Sequence, residues 1–314
     1  MRLQRILVPV DFSVHSEQAG LVAVALANRH GAEVLALHVD PFPGAAAVAV
    51  EPVYIPPDLF GGLHADYNRR IDESLASLQE LLAKHATTSV TLTTERRTGL
   101  VADNVLEYAT ESKADLIVMG SSGLSGTARL ILGSVADKVS RSAPCPVLIT
   151  RINSDEERPS EPFKRVVVAV DYSPFSGPSM RLGRAVLAPG GSVELVHVWA
   201  SPYLSALNAQ LGGPDNEPMA NAIAAARADQ ADRLESFAEQ GELSGVSCFV
   251  ATGGVPSALL DRVDEIGADL LVLGAHGRRD LGERLLGTTA DRVLRHAETS
   301  VLLISEDALA RWSR

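Results

Sequence analysis

Short runs of apolar, β-branched residues alternate along the chain with longer segments of helical periodicity. The run at residues 6–10 reads ILVPV and the run at 166–170 reads VVVAV, so neither contains a polar position. Uninterrupted runs of this length are typical of strands buried on both faces of a parallel sheet. The pattern predicts strands at residues 6–10, 33–39, 90–94, 115–119, 147–150, 166–170, 193–199, 246–251, 269–273 and 301–305.

The periodic segments between these runs predict the helices of an α/β fold. Helices are expected at residues 17–29, 65–85, 102–112, 135–142, 179–187, 220–240, 256–266 and 290–296, with Pro/Gly-rich loops at 40–62 and 200–218. Strict alternation of strand and helix predicts parallel sheets covered by helices. Five strands per half fit doubly wound units, which bind ligands beyond the carboxyl ends of their strands, at the topological switch point.

The two halves of the chain repeat each other. RILVPVDFS at 5–13 returns as RVVVAVDYS at 165–173, LHV at 37–39 as VHV at 196–198, and ADLIVMG at 114–120 as ADLLVLG at 268–274. Each copy is far longer than the ~20–50-residue period of a solenoid, so each is expected to be a whole domain. The polar stretch RINSDEERPSEP has linker composition. We therefore predict domains at 1–152 and 164–314 and a linker at 153–163.

Composition and charge limit the partners. The 314 residues carry a formal net charge of −11, which argues against nucleic acid and anionic membranes, since both require a basic face. No apolar run approaches the ~18 residues needed to span a bilayer. The apolar run near the N-terminus is too short for a signal peptide, so a cytoplasmic protein is expected. Two cysteines, Cys145 and Cys248, are too few for a disulfide framework.

A glycine motif, G-x2-G-x9-G-[ST], follows the fourth strand of both copies with identical spacing. Glycine lets the backbone approach a ligand and adopt positive φ. The last glycine opens a helix, whose N–H groups and dipole favour a phosphate. The pattern is neither a P-loop, which needs a lysine, nor the dinucleotide fingerprint that follows a first strand. Its residues are Gly120, Gly123, Gly133 and Ser134 in the first copy and Gly274, Gly277, Gly287 and Thr288 in the second.

An acidic residue, Asp11 or Asp171, ends the first strand of each copy. It could bind ribose hydroxyls or hold a metal beside phosphates, and the alternative is a helix N-terminal cap. Ser13 and Ser173, two positions further on, are expected to be caps.

Several other polar or glycine positions lie near these motifs. His38 and His197 are expected to be core or strand-edge histidines. Gly99 and Gly253 could line the same crevice, and His276 could contact phosphate or be an exposed loop histidine.

At these motifs the chain resembles the universal stress protein family in its tandem-domain, ATP-binding form. The resemblance covers both halves and is carried by ILVPVDFS, LHV, ADLIVMGSSGLSG, ILGSVADKV and APCPVLI, and by VVVAVDYS, VHV, ADLLVLGAHGR, LLGTTADRVL and SVLLIS. It implies the adenine nucleotide α-hydrolase-like fold and ATP, with Mg, as ligand. The implied site residues are Pro9, Val10, Asp11, Ser13, Val39, Gly120, Gly123, Gly133, Ser134 and Val135 in the first copy, and Val170, Asp171, Ser173, Val198, Gly274, Gly277, Gly287, Thr288 and Thr289 in the second.

The resemblance also carries expectations about assembly and metal. It implies that the last strands of the two domains pair within the chain as a pseudo-dimer, and that the chain forms a homodimer. Any metal contact is expected from Asp11 and Asp171 through Mg-ATP, without a dedicated metal site. The second copy departs from the pattern at Ala169, which replaces a proline, yet Thr288 keeps the hydroxyl, so both copies are expected to bind.

Three functions remain open. The first is an ATP-binding regulatory protein of the stress response, in which the nucleotide shifts a conformational equilibrium. The second is an enzyme, a slow ATPase or a nucleotidyl or phosphoryl transferase, although neither glycine loop holds a lysine. The third is a scaffold that binds another small ligand.

Overall fold

The computed structural model describes residues 2–41, 57–122, 132–151, 163–199, 217–241, 246–276 and 286–312. The chain divides into two compact units, Met1–Pro162 and Phe163–Arg314, called the first and second unit below. Residues 153–162 of the predicted linker lie outside the described residues, so the predicted domain limits stay a prediction.

The first unit is a parallel five-stranded α/β layer structure. Its sheet has the strand order β3-β2-β1-β4-β5, and every paired strand runs parallel to its neighbour. In chain order the elements are β1 (Arg5–Val10), α1 (Val14–His30), β2 (Glu33–Pro41), α2 (Pro57–Ala83), β3 (Leu92–Gly99), α3 (Val101–Glu111), β4 (Leu116–Gly120), α4 (Ser134–Ser142) and β5 (Val147–Thr150).

The second unit repeats this topology. Its parallel sheet has the order β8-β7-β6-β9-β10, with the switch point between β6 and β9 as it lies between β1 and β4 in the first unit. The elements are β6 (Arg165–Ala169), α5 (Ser176–Val186), β7 (Ser192–Trp199), α6 (Glu217–Gln240), β8 (Ser247–Thr252), α7 (Val255–Ile266), β9 (Leu270–Gly274), α8 (Thr288–His296), β10 (Ser300–Ile304) and α9 (Glu306–Trp312). The predicted fold class, two tandem doubly wound five-stranded units, is confirmed.

The central strands are buried because their apolar runs lie between two helical layers. Ile6, Leu7 and Val8 of β1 and the first four residues of β4 are buried. A repeated aspartate holds the beginnings of these strands together. Asp115 accepts hydrogen bonds from the backbone N–H groups of Gln4 (2.7 Å) and Arg5 (2.9 Å).

The same arrangement recurs in the second unit. Asp269 accepts hydrogen bonds from the N–H groups of Lys164 (2.8 Å) and Arg165 (3.0 Å). The ADL repeats of the sequence therefore tie the switch-point strands together at their amino ends. This end lies opposite the edge where a ligand is expected.

Several element bounds differ from the prediction for identifiable reasons. The helix α1 begins at Val14, earlier than the predicted residue 17, because Ser13 caps it and accepts a hydrogen bond from the Ser16 N–H (3.2 Å). The strand β3 extends to Gly99 through a polar segment that lacks the apolar signal of a strand. The short helix α9 was not expected at all. No helix in the described part of the chain combines the length and apolarity needed to cross a membrane.

Candidate functional site

A cavity lies at the carboxyl ends of the strands on either side of the switch point in each unit. The first cavity has a volume of about 320 Å³ and the second about 710 Å³. Predicted site residues line both. They are Pro9, Val10, Asp11, Val39, Gly120, Gly133, Ser134 and Val135 in the first cavity, and Val170, Asp171, Val198, Gly274, Gly287, Thr288 and Thr289 in the second. The remaining predicted residues are Gly123 and Gly277, which lie outside the described residues, and Ser13 and Ser173, which are buried but are not among the lining residues.

The first glycine of each motif is required by packing. A Cβ on Gly120 would lie 2.8 Å from the Cβ of His15, and one on Gly274 would lie 2.6 Å from the Cβ of Phe175. These glycines therefore let the segment that follows the first strand pack against the end of the fourth. The expectation of positive φ is wrong for Gly120 and Gly274, and also for the helix-opening glycines, whose φ values are −66° at Gly133 and −59° at Gly287.

The last glycine of each motif closes the loop and begins a helix. The Gly133 N–H donates to the Ser121 carbonyl (2.8 Å), and the Gly287 N–H donates to the Ala275 carbonyl (2.8 Å). Neither α4 nor α8 has a side-chain cap. The first-turn N–H groups of these helices, which have no carbonyl partner within the helix, thus begin beside the cavity and can serve an anionic ligand.

The acidic residue of each unit holds a tight turn at the edge of its cavity. Asp11 Oδ1 accepts hydrogen bonds from the Ser13 N–H (3.1 Å) and the Ser13 hydroxyl (2.6 Å). The residue inside this turn, Phe12, has φ of 62°, a left-handed conformation uncommon for residues with a side chain. Because Ser13 is the N-cap of α1, the capping alternative for Asp11 is wrong.

In the second unit the aspartate of this turn accepts the same backbone N–H bond, but its second bond comes from a different hydroxyl. Asp171 Oδ1 accepts from the Ser173 N–H (2.9 Å) and the Ser176 hydroxyl (3.0 Å), and Tyr172 has φ of 62°. Ser173 accepts from the Phe175 N–H at 3.3 Å. The N-cap of α5 is Phe175, so the expectation that Ser173 caps this helix is wrong. Ser173 instead supports the turn before α5, and the carboxylate of Asp171 lies at the cavity.

The repeated histidines hold the ends of the first strands in place. His38 Nδ1 lies 2.9 Å from the Val10 carbonyl, and His197 Nδ1 lies 2.7 Å from the Val170 carbonyl. A carbonyl only accepts, so each Nδ1 carries the proton. The rings also contact the residue in the turn, with centroids 4.5 Å apart for His38 and Phe12. The rings are strand histidines as expected and are satisfied at Nδ1, but the expectation of full satisfaction is wrong for His38, whose buried Nε2 lies 3.3 Å from Asp40 and has no hydrogen-bond partner among the described residues.

An apolar wall of residues that were not predicted to line the site completes each cavity. In the first unit it includes Leu37, Val101, Val105 and Met119. In the second it includes Val196, Val255, Leu259 and Leu273. Both walls take two residues spaced four apart from the first turns of the helix after the third strand, which is the sequence signal that could have found them. An apolar wall beside a polar helix end suits a ligand with a flat apolar part and an anionic part.

The glycines before those helices play a different part from the one expected. Gly99 has φ of 139° and Gly253 has φ of 117°, values that favour glycine. Neither is among the residues that line the cavities. They turn the chain from strand into helix, so that the next residues reach the apolar wall.

The second cavity has further lining residues that sequence reasoning missed. Trp199 ends β7, and Gln230 and Arg233 belong to α6. The Arg233 guanidinium lies 4.2 Å from the centroid of the Tyr172 ring. The positions of Gln230 and Arg233 depend on the rotation of α6 over the sheet, which a periodic helical pattern does not specify.

The position of Trp199 in the first unit is taken by Asp40, which belongs to a polar network outside the cavity. Asp40 accepts hydrogen bonds from Arg96 Nε (2.6 Å) and the Tyr67 hydroxyl (2.9 Å). Burial alone would raise the pKa of Asp40, but these bonds and the charge of Arg96 lower it below its ordinary value. This network joins α2 to β2 and β3.

Known proteins are similar to this chain over both of its units or over about half of its length. A family model described as the universal stress protein family matches residues 2–151 and 162–305. A universal stress protein of Mycobacterium tuberculosis is 29% identical over 304 residues, covering 95% of this chain and 96% of that protein. One from Methanocaldococcus jannaschii is 33% identical over 154 residues, covering 47% of this chain and 82% of that protein.

A solved structure has the same fold over both units. A universal stress protein from Archaeoglobus fulgidus superposes with a TM-score of 0.61 at 19% identity, covering 97% of each chain. At this identity the likeness concerns the fold.

Proposed function

The chain belongs to the universal stress protein family, and from this premise we propose that it is a regulatory protein that binds ATP, accompanied by Mg²⁺, in each of its two units. The observation that carries the proposal is the repeated cavity in which an uncapped helix start, an acidic turn and an apolar wall meet. Two sites of matched construction on one chain support a shared ligand class.

The phosphates are assigned to the helix starts. In the first unit the N–H groups after Gly133, with the Ser134 hydroxyl, would donate to phosphate oxygens, and Gly287, Thr288 and Thr289 would do so in the second. Gly123 and Gly277 are proposed to extend the same contact. The negative charge of the phosphates meets the positive end of each helix dipole.

The ribose and metal are assigned to the acidic turns. Asp11 is the one carboxylate among the described lining residues of the first cavity, and Asp171 has the same place in the second. The described residues contain no group of three or more His, Cys, Asp or Glu side chains able to hold a metal. Mg²⁺ would therefore arrive on the phosphates, as this ion commonly does, with at most one carboxylate from the chain.

The base is assigned to the apolar wall and the second strand. Val39 and Val198 lie at the carboxyl ends of β2 and β7 beside Val10 and Val170. Their backbone could bond the edge of an adenine while the wall packs on its face.

The deciding experiment is to denature the purified protein and to identify and count the released nucleotide by mass and absorbance. We expect about two ATP per chain, one for each cavity. ADP in place of ATP would favour the slow-ATPase alternative. If no nucleotide is released and added Mg-ATP does not raise the melting temperature, the proposal fails and a scaffold for another ligand is favoured.

A further inference from the structure

We propose that the second cavity accepts a nucleotide with two separated anionic groups, its 5′-phosphates at the start of α8 and a second phosphate bound by Arg233. This inference rests on the proposed function, since it assumes a nucleotide in the second cavity. It goes beyond that function because it gives the second cavity a site for a second phosphate, in addition to the nucleotide site that both units share.

The first observation is a cation in the second cavity that has no acidic partner in the described part of the chain. Arg233 lines the cavity with its guanidinium over the Tyr172 ring, and no described residue forms an ion pair with it. Stacking uses the face of the guanidinium and leaves its edge N–H groups available to an acceptor. Such a group favours an anion, and a phosphate matches its donor geometry.

The first unit offers no counterpart. The described residues that line its cavity include no Lys, Arg or His. Arg96, on the strand beside β2, is held by Asp40 (2.6 Å), Asp72 (3.2 Å) and Asn68 (2.7 Å). Among the described residues, this positive charge of the first unit is compensated, whereas Arg233 of the second unit has no ion-pair partner.

The second observation is a buried polar atom at the other end of the same cavity. His276 is 7% exposed and lines the cavity, and its Nδ1 has no hydrogen-bond partner among the described residues. Most buried polar side-chain atoms in proteins have a partner, so this nitrogen is a candidate to bond a ligand in the cavity. The corresponding residue of the first unit is Ser122, two residues after the strand glycine in both units.

The two groups lie on opposite sides of the central strand. His276 follows β9, whereas Arg233 stacks on Tyr172, whose ring contacts His197 of β7 at 4.7 Å. Since β6 lies between β7 and β9, a ligand that meets both groups spans the switch point. The volume of about 710 Å³, against about 320 Å³ in the first unit, leaves room for the additional group.

The ligands that fit this arrangement share a second phosphate remote from the 5′-phosphate. It could come from a mononucleotide phosphorylated on its ribose or from the internucleotide phosphate of a dinucleotide. The probes are AMP, adenosine 3′,5′-bisphosphate and the linear dinucleotide pApA. The chain has two tryptophans, so in a Trp312→Phe background the fluorescence of Trp199 reports on the second cavity alone.

We expect adenosine 3′,5′-bisphosphate or pApA to bind at least about tenfold more tightly than AMP, a ratio set by one charge-assisted contact. Arg233→Gln should bring that ratio close to one. The matched control is Arg227→Gln, which removes the same charge from the same helix at a side chain 5.7 Å above the Phe249 ring. His276→Ser should weaken all three ligands to a similar extent.

The outcomes separate this inference from the proposed function. If AMP binds and neither doubly charged ligand binds more tightly, the inference is overturned and the proposed function stands. If the preference survives Arg233→Gln, or is lost equally in Arg227→Gln, the assignment to Arg233 is overturned. If none of these ligands and no ATP binds, the proposed function itself has failed. Where the preference is found, the order of the bisphosphate and pApA identifies which source supplies the phosphate.

Discussion

The glycines of the repeated motif carry out two physically different tasks. Gly120 lacks a Cβ because His15 occupies the space, with its Cβ 2.8 Å from where one would be. Gly133 has ordinary helix N-cap angles, φ −66° and ψ 152°, and a Cβ there would meet no atom of the described residues closer than 3.5 Å. Packing among the described residues therefore leaves room for a side chain at this position, and the proposed ligand would take that space.

Substitution of Gly133 separates these tasks. Gly133→Ala should lower the ATP affinity of the first unit by about tenfold or more, because a methyl group displaces phosphate from the N–H groups of α4. The free energy of unfolding should change by less than about 1 kcal/mol. Calorimetric titration and denaturant unfolding of the same variant measure both quantities.

The matched variant is Gly120→Ala, which adds the same methyl where the protein leaves no space. Overpacking should reduce the free energy of unfolding by about 1–3 kcal/mol. Full ATP affinity in Gly133→Ala would contradict the assignment of phosphate to this helix start.

A second residue-scale prediction concerns the charge of Asp11. Asp11→Asn keeps an oxygen that can accept the two turn bonds now made to Oδ1, so stability should change by no more than about 0.5 kcal/mol. Loss of the negative charge should weaken Mg-ATP binding about tenfold, with a smaller effect in the absence of Mg²⁺. Titrations with and without the metal measure the difference.

Ser13→Ala is the control for this change. It removes the N-cap of α1 and should cost about 1 kcal/mol of stability with little effect on affinity, since Ser13 is not among the lining residues. A loss of affinity in Ser13→Ala as large as that in Asp11→Asn would show that the turn, and not the carboxylate charge, matters for binding.

At the scale of elements, polar contacts hold α2 and β3 in place where the apolar pattern is weak. Arg96 of β3 contacts Asp40 of β2 and both Asp72 and Asn68 of α2. This explains why β3 could be predicted only in part. Its polar residues indicate a loop when taken alone, and they are satisfied only by partners far away in sequence. The inner strands and the helix spacing, by contrast, follow from the periodic pattern itself.

The same network gives the first unit a defined response to acid. The pKa of Asp40 is lowered in the folded protein from an ordinary value of 3.8. A lowered pKa means that the unfolded chain binds the proton first, so the stabilisation is complete above about pH 4 and decreases as the pH falls further. Asp40→Asn should therefore show a shallower loss of stability in acid than the wild type, measured by urea unfolding at a series of pH values.

The opposite effect of acid on stability is expected at Asp269. Burial raises the pKa of this carboxyl above its ordinary value, although the Lys164 and Arg165 N–H groups partly oppose the shift. The folded protein then takes up the proton first and gains stability as the pH falls through that pKa. Asp269→Asn should lose free energy of unfolding more steeply than the wild type as the pH falls. An equal change in the slope of that free energy against pH for Asp40→Asn and Asp269→Asn would contradict the two assignments.

At the scale of the whole molecule, the duplication makes each unit an internal control for the other. Gly133→Ala should reduce released nucleotide from about two per chain to about one, Gly287→Ala should do the same, and the double variant should release none. Counting after denaturation measures this directly. Loss of both nucleotides in one single variant would mean that the sites are coupled.

The duplication also shows where sequence reasoning reaches its limit. Repeated motifs identify the positions that the two cavities share, such as Asp11 and Asp171. They say nothing about positions where the copies differ, and Trp199 and Arg233 are such positions. The place of Arg233 in the second cavity is set by the packing of α6 on β7 and β8, which is a tertiary property.

The hydrogen bonds that close the glycine loops make these loops modular. A 2.8 Å bond joins Gly133 to Ser121 in the first unit, and an equal bond joins Gly287 to Ala275 in the second. Twelve residues separate the outer glycines in each copy, yet they read SSGLSGTARLIL in one and AHGRRDLGERLL in the other. Since the closure uses only main-chain atoms, mutation can rewrite the loop without disturbing its anchor. The two loops are therefore suitable for exchange between units, and such a chimaera would separate the contribution of the loop sequence to binding from that of Arg233 on α6.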